Sequence, residues 1–241
     1  MPSILKVDCV TKNFAGLAAL RQVTFDIEEG RVCGLIGPNG AGKTTLLSII
    51  AGSVLPSSGS VIFRGKRIES GKSYQAVRAG IVRTHQIPRP FRSLSVLANV
   101  ELGIHFGRSS NRDDSSNEAM EILEWVGIAH LAPAAASTLS VGNLKRMELA
   151  RALATKPSLL LCDEVCSGLT ESETASVLGL LRGIQKTGTT ILYVEHNLKA
   201  IMSLCNPVVV MNHGQKLVEG SPEEVQSHPL VIEAYIGKKA A

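Results

Sequence analysis

The stretch Gly37-Pro38-Asn39-Gly40-Ala41-Gly42-Lys43-Thr44-Thr45 constrains this chain more than any other. It fills every fixed position of the phosphate-binding pattern Gly, four variable residues, Gly-Lys-Ser/Thr. Its flanks fit as well. Residues 31–36 read as a short apolar strand, and residues 44–51 as a helix closed by Gly52. The glycines let the backbone curl around an anion, so that successive N–H groups point inward and the helix N-terminus adds its positive end. Lys43 is expected to hold the β- and γ-phosphates of a nucleotide, and Thr44 to offer its hydroxyl to Mg²⁺. An ordinary glycine-rich turn before a helix would explain the glycines but not Lys43-Thr44 at that place.

With 241 residues the chain can form one large α/β domain, or a domain with a sizeable insertion, and bury its core without disulfides. Its formal net charge of +4 suits a phosphate ligand or an acidic surface. No dense Lys/Arg run points to nucleic acid, which is not expected as a partner. Of the five cysteines, Cys33 and Cys162 fall in apolar strand patterns and read as small core residues. Cys162 and Cys166 would need further ligands to hold a metal, and none stands at suitable spacing. Unpaired cysteines of this kind suit a reducing compartment. Lys6 and Asp8 interrupt the apolar N-terminal stretch, so it does not read as a secretory signal. No uncharged apolar run reaches the roughly 18 residues that span a bilayer. Work at a membrane would therefore go through a partner.

Alternation predicts strands over 4–10 and 23–27, with a turn at 11–16 between them. A turn at 56–59 leads into a strand over 60–63, and another strand is expected over 81–86. From Ile87 to about Ala154 the pattern turns helical, notably over 94–102 and 119–126, with a loose polar stretch at 108–117. Strands return over 158–162 and 189–194. Helices are expected over 171–186 and 197–205, a hairpin about Asn212-His213-Gly214, and a helical tail over 222–236. The fold class is α/β, a phosphate-loop core with an N-terminal β region and an inserted helical block.

A phosphate loop needs a carboxylate to manage Mg²⁺, and the apolar strand before Asp163-Glu164 delivers one to its C-terminal end. Asp163 is expected to bind Mg²⁺ through water, and Glu164 to polarise an attacking water as general base. Two carboxylates capping the next helix is the plainer reading. Gln86, at the expected end of its strand, could touch both Mg²⁺ and that water. His196, just past the 189–194 strand, could reach the γ-phosphate, although a lone histidine there is commonly structural. Ser140 and Gly142 open a helix with Leu144, Met147, Ala150 and Leu153 on one face. They form either a second anion-binding N-terminus or a simple N-cap.

In order and spacing these motifs resemble the ATP-binding subunits of ATP-binding cassette (ABC) transporters along nearly the whole chain. The correspondence covers the phosphate loop (Walker A), Gln86 (Q-loop), Ser140 to Asn143 (signature), Asp163-Glu164 (Walker B), Ser167 to Thr170 (D-loop) and His196 (switch). Phe14 falls where that family places an aromatic ring on adenine. Residues 81–86, 194–197 and the ending 231–237 more narrowly resemble ATPases of branched-chain amino-acid importers. The resemblance implies a RecA-like core and β subdomain over 1–86 and 156–241, with a helical subdomain over 87–155. ATP and Mg²⁺ are implied as cofactors, and Asn143 joins Ser140 and Gly142 in meeting a nucleotide. Implied partners are a second ATPase subunit whose signature completes this chain's phosphate site, membrane-spanning permease subunits docked near Gln86, Phe91 and Leu94, and indirectly a solute-binding protein. The implied location is peripheral, on the cytoplasmic face of the cell membrane. Val141, Asn143, Thr170 and His85 depart from the family's usual residues, and none of these departures removes a group that meets phosphate or Mg²⁺ directly. A non-transport ATPase of this fold, or a weakly hydrolysing nucleotide sensor, is the other reading.

Overall fold

The structure, a computed structural model, describes residues 2–68, 71, 73–86, 88–107 and 115–236. Its N-terminal part is a four-stranded antiparallel sheet built from β1 (Ser3–Phe14), β2 (Leu17–Glu28), β4 (Ser58–Phe63) and β5 (Lys66–Arg67), in the order β2-β1-β4-β5. The second sheet has six strands in the order β10-β9-β3-β8-β7-β6. These are β3 (Val32–Ile36), β6 (Ile81–Arg83), β7 (Leu159–Asp163), β8 (Thr190–Val194), β9 (Val208–Asn212) and β10 (Gln215–Gly220). Its strands run parallel except β10, which forms an antiparallel edge hairpin with β9.

The central strands β3, β7 and β8 are buried at every position, because both faces of the sheet are covered. Their side chains alternate between two cores. Leu159, Leu161, Leu192 and Val194 face helix α1 (Lys43–Ile50), which lies between the two sheets against Val7, Val23 and Phe25. Leu160, Cys162, Ile191 and Tyr193 face the helices on the other side: α3 (Val96–Gly107), α4 (Ser115–Trp125), α5 (Val141–Ala154), α6 (Glu171–Lys186) and α7 (Leu198–Leu204). Cys33 and Cys162 are buried core residues, as their patterns predict.

Three expectations need correction. Residues 11–14 continue β1 rather than turning, because Lys12, Asn13 and Phe14 pair with Leu20, Ala18 and Leu17. Only Ala15 and Gly16 turn, both at positive φ, as a two-residue hairpin between right-twisted strands requires. Strand β6 stops at Arg83 instead of running to Gln86. The Thr84 N–H still donates to the Leu161 carbonyl of β7 at 2.9 Å, but the His85 N–H after it turns to the Glu148 carboxylate at 2.7 Å. The tail is two helices, α8 (Pro222–Ser227) and α9 (Pro229–Ile236), since Pro229 has no N–H to give and holds His228 extended at ψ 124°. Two elements were not anticipated, β5 and helix α2 (Ser73–Ala79). Ile87, residues 108–114 of the polar stretch and Gly237 lie outside the described residues.

Candidate functional site

The phosphate loop spans the β3–α1 connection, where a parallel strand ends and a helix begins. Its path is dictated by backbone from other strands. Gly37 has φ 149°, and a Cβ there would stand 2.1 Å from the Met211 carbonyl oxygen. Gly42 has φ 98°, and a Cβ there would meet the Ala19 carbonyl oxygen at 2.7 Å. Neither position admits another residue without moving a strand. Over the loop lies a cavity of about 390 Å³, lined by residues 39–45, Glu164, His196, His213, Arg21 and residues 17–19.

Lys43 is buried, and its ammonium donates to the Gly37 and Pro38 carbonyls at 2.6 and 3.0 Å. Burial lowers its pKa, while the Glu164 and Asp163 carboxylates draw it back up. The Thr44 side chain is exposed at the cavity, and Thr45 is half-buried beside it. The loop's other members, Pro38, Asn39, Gly40 and Ala41, complete the curl, with the Ala41 N–H donating to the Pro38 carbonyl at 3.2 Å.

Glu164 follows β7 with φ 49°, a left-handed conformation costly for any residue with a Cβ. That turn aims its carboxylate into the cavity, where both oxygens are held. Gln86 Nε2 donates to Oε2 at 2.5 Å, and His196 Nε2 shares a 2.5 Å hydrogen bond with Oε1. Two predicted residues from two other segments thus converge on the carboxylate of a third. Asp163, one residue earlier, is buried and paired with the Arg83 guanidinium at 2.6 Å; Arg83 also donates to Ser48 Oγ at 2.8 Å. Among the described residues no three His, Cys, Asp or Glu side chains gather as a metal centre. Thr44 and the Glu164 carboxylate line the cavity, whereas Asp163, tied to Arg83, lies outside its lining; carboxylate and hydroxyl oxygens are the hard donors that suit Mg²⁺, which takes its other ligands from phosphate and water.

Ser140, Gly142 and Asn143 lie outside this cavity's lining. Ser140 is the N-cap of α5, its hydroxyl accepting the Asn143 N–H at 3.3 Å. Gly142 is buried, and a Cβ there would come within 2.5 Å of Glu173 Oε1 at the start of α6. Val141 beside it is exposed. Phe14 stands on the β1–β2 hairpin, 46% exposed, with the Lys12 ammonium 4.8 Å from its ring centre. Leu17, Ala18 and Ala19 of the same hairpin form the nearby cavity wall.

Sequence reasoning did not single out Arg83, Lys145, Glu148, Arg151 or Glu195. The last four are charged positions embedded in apolar patterns, and that was the available signal. Lys145 is 2% exposed; its ammonium donates to the Gln86 carbonyl and, at 3.3 Å, to the Glu164 carbonyl. Burial lowers its pKa against the pull of Glu148, Glu195 and Glu164. Glu148 accepts the His85 N–H at 2.7 Å, and Arg151 donates to the Arg89 carbonyl at 2.8 Å. Glu195 accepts the Cys166 N–H at 2.8 Å, and burial raises its pKa.

A family profile described as "ABC transporter" matches residues 20–167, and one described as "Branched-chain amino acid ATP-binding cassette transporter" matches residues 215–241. The chain is 34% identical to the high-affinity branched-chain amino acid transport ATP-binding protein BraF of Pseudomonas aeruginosa, and 33% identical to LivG of Salmonella typhimurium. Each match covers 98% of both proteins. Among solved structures it resembles MJ1267, an ATP-binding cassette of an ABC transporter, in its ADP conformation. The TM-score is 0.90 at 31% identity, over 99% of this chain and 100% of that one. A nucleotide-free cassette from an ABC transporter matches with a TM-score of 0.90 at 31% identity, over 98% and 100%.

Proposed function

Since the chain belongs to the ABC transporter family of ATP-binding cassettes, we propose that it is the ATP-hydrolysing subunit of an importer for branched-chain amino acids or a related small polar solute. The solute follows from the names of BraF and LivG and from the profile over 215–241. For hydrolysis, the observation that carries the reading is Glu164, held on both carboxylate oxygens at the mouth of the phosphate-loop cavity.

The loop N–H groups and Lys43 bind the nucleotide phosphates, Lys43 exchanging its loop carbonyls for phosphate oxygens. Phe14 stacks on adenine. Thr44, Asp163 and Gln86 are the residues that would hold Mg²⁺, whose charge, when bound, offsets that on the phosphates. Glu164 takes a proton from the attacking water, and Gln86 and His196 fix the direction of its lone pairs. Ser140, Gly142 and Asn143 present a helix N-terminus to the nucleotide of a second ATPase subunit, which is why they stand apart from this chain's own cavity. The helical block over 87–155 carries that N-terminus. Permease subunits dock in a groove of about 460 Å³ lined by Tyr74, Val77, Phe91, Leu102 and Phe106, with a solute-binding protein acting through them. The subunit then sits peripherally on the cytoplasmic face of the membrane; among the described residues no helix is long and apolar enough to cross it.

The test is Mg²⁺-ATP turnover of the purified chain beside Glu164→Gln, with mass followed by light scattering. Turnover should fall by about 10²–10⁴-fold while ATP binding persists and the ATP-bound variant runs as a dimer. Unchanged turnover in the variant would remove Glu164 from the base position.

A further inference from the structure

Three charged side chains on one face of α5 grip a single stretch of chain. Lys145, Glu148 and Arg151 are spaced by three residues, so they lie in a row along the helix. Glu148 takes the His85 N–H, Lys145 takes the Gln86 carbonyl, and Arg151 takes the Arg89 carbonyl. This is the stretch that leaves β6 early, and it runs from the Glu164 carboxylate at one end to the apolar groove at Phe91 at the other. Lys145 alone of the three also reaches the catalytic strand, through the Glu164 carbonyl. One ammonium therefore ties together the backbones of the two residues whose side chains meet 2.5 Å apart.

We propose that Lys145 is a positioning residue for ATP hydrolysis: by bridging the Gln86 and Glu164 carbonyls it sets the distance between the Gln86 amide and the Glu164 carboxylate. The proposal rests on the reading of Glu164 as the base. Burial makes the link stiff. A buried ammonium without its acceptors is strongly unfavourable, so the two carbonyls cannot drift from it separately. Displacement of His85, Gln86 or Arg89 is carried by Lys145 to Glu164, and by the row as a whole to α5, whose N-cap is Ser140. The methylene stem is not what matters here; the donors on the ammonium are.

The experiment compares Lys145→Met, which keeps the stem and loses the donors, with Lys145→Arg, which keeps donors for two carbonyls. In Lys145→Met, kcat should fall roughly ten- to a hundredfold, with KM for ATP within about twofold of wild type. Lys145→Arg should recover most of that loss. In the nucleotide-free protein, amide exchange in the peptide carrying His85 and Gln86 should quicken in Lys145→Met and not in Lys145→Arg. In a Gln86→Ala background the Lys145→Met effect on kcat should largely vanish, because both changes break one link. Wild-type kcat in folded Lys145→Met overturns the proposal, as does a raised KM with kcat unchanged. If Lys145→Met does not fold, Lys145→Gln takes its place, and wild-type kcat there overturns the proposal equally. Glu164→Gln separates the two failures. If it is inactive while Lys145→Met is fully active, only the positioning role falls; if it is fully active, the base reading falls and takes the positioning role with it.

Discussion

Glu195 precedes His196 yet points inward, away from the cavity and onto the Cys166 N–H. Its pKa is raised by burial, with two backbone N–H groups opposing the shift only in part. A carboxylate with a raised folded pKa binds more protons in the folded state than in the unfolded one. The stability tied to it is therefore present at low pH and is lost as pH climbs from the ordinary value of 4.5 through the folded value. Glu195→Gln, which keeps an oxygen for Cys166, should remove that loss. Urea midpoints measured against pH should show the variant gaining on wild type as pH rises past 4.5, then holding a constant difference. Equal midpoints at every pH would mean that burial does not penalise this charge. At this scale the phosphate loop was legible in full, since its residue types and spacing are dictated by a local backbone shape. Lys145, Glu148 and Glu195 were not. What makes them matter is the partner each finds across the fold, at sequence separations of 59, 63 and 29 residues.

Among the elements, α6 was read with its exact bounds because its stop and start are local chemistry. Thr170 and Glu173 form a reciprocal capping box, the Thr170 hydroxyl accepting the Glu173 N–H at 3.3 Å and the Glu173 carboxylate accepting the Thr170 N–H at 2.9 Å. Thr170 thus departs from its family's usual residue and still caps the helix. Thr170→Ala should cost about 1 kcal/mol in urea unfolding. An unchanged midpoint would mean that the cap contributes nothing net. The elements misjudged are those whose ends depend on a partner. β1 runs on past residue 10 because β2 continues beside it, and β6 ends at Arg83 because β7 and α5 compete for the chain beyond it. The break at Pro229 was visible in the residue type and overridden by the apolar pattern around it.

For the whole molecule, the groove lined by Tyr74, Val77, His85, Phe91, Leu102 and Phe106 shares no lining residue with the cavity over the phosphate loop. Phe91 is half exposed, its ring lies 5.4 Å from the Arg151 guanidinium, and its backbone is clamped on both sides by Asn99. Phe91→Asp should leave the fold intact, since Arg151 can receive the new carboxylate. ATP affinity should be unchanged, while permease binding weakens by about 2 kcal/mol, or roughly 30-fold, with loss of uptake. Normal uptake in reconstituted vesicles would place the permease elsewhere.

What the sequence determined by itself is the chemistry that depends on short range. It set an anion-binding loop between a strand and a helix, a carboxylate pair at the end of an apolar strand, and capped helices whose apolar faces demand a core. Only the tertiary structure decided which of those residues meet. Gln86, Glu164 and His196 converge because β6, β7 and β8 are neighbours in one parallel sheet and release their chains at the same edge. The same packing buried Lys145 against two of those chains. Strand order is settled by how two cores close on both faces of a sheet, and a pattern read one segment at a time carries no information about which strand lies beside which.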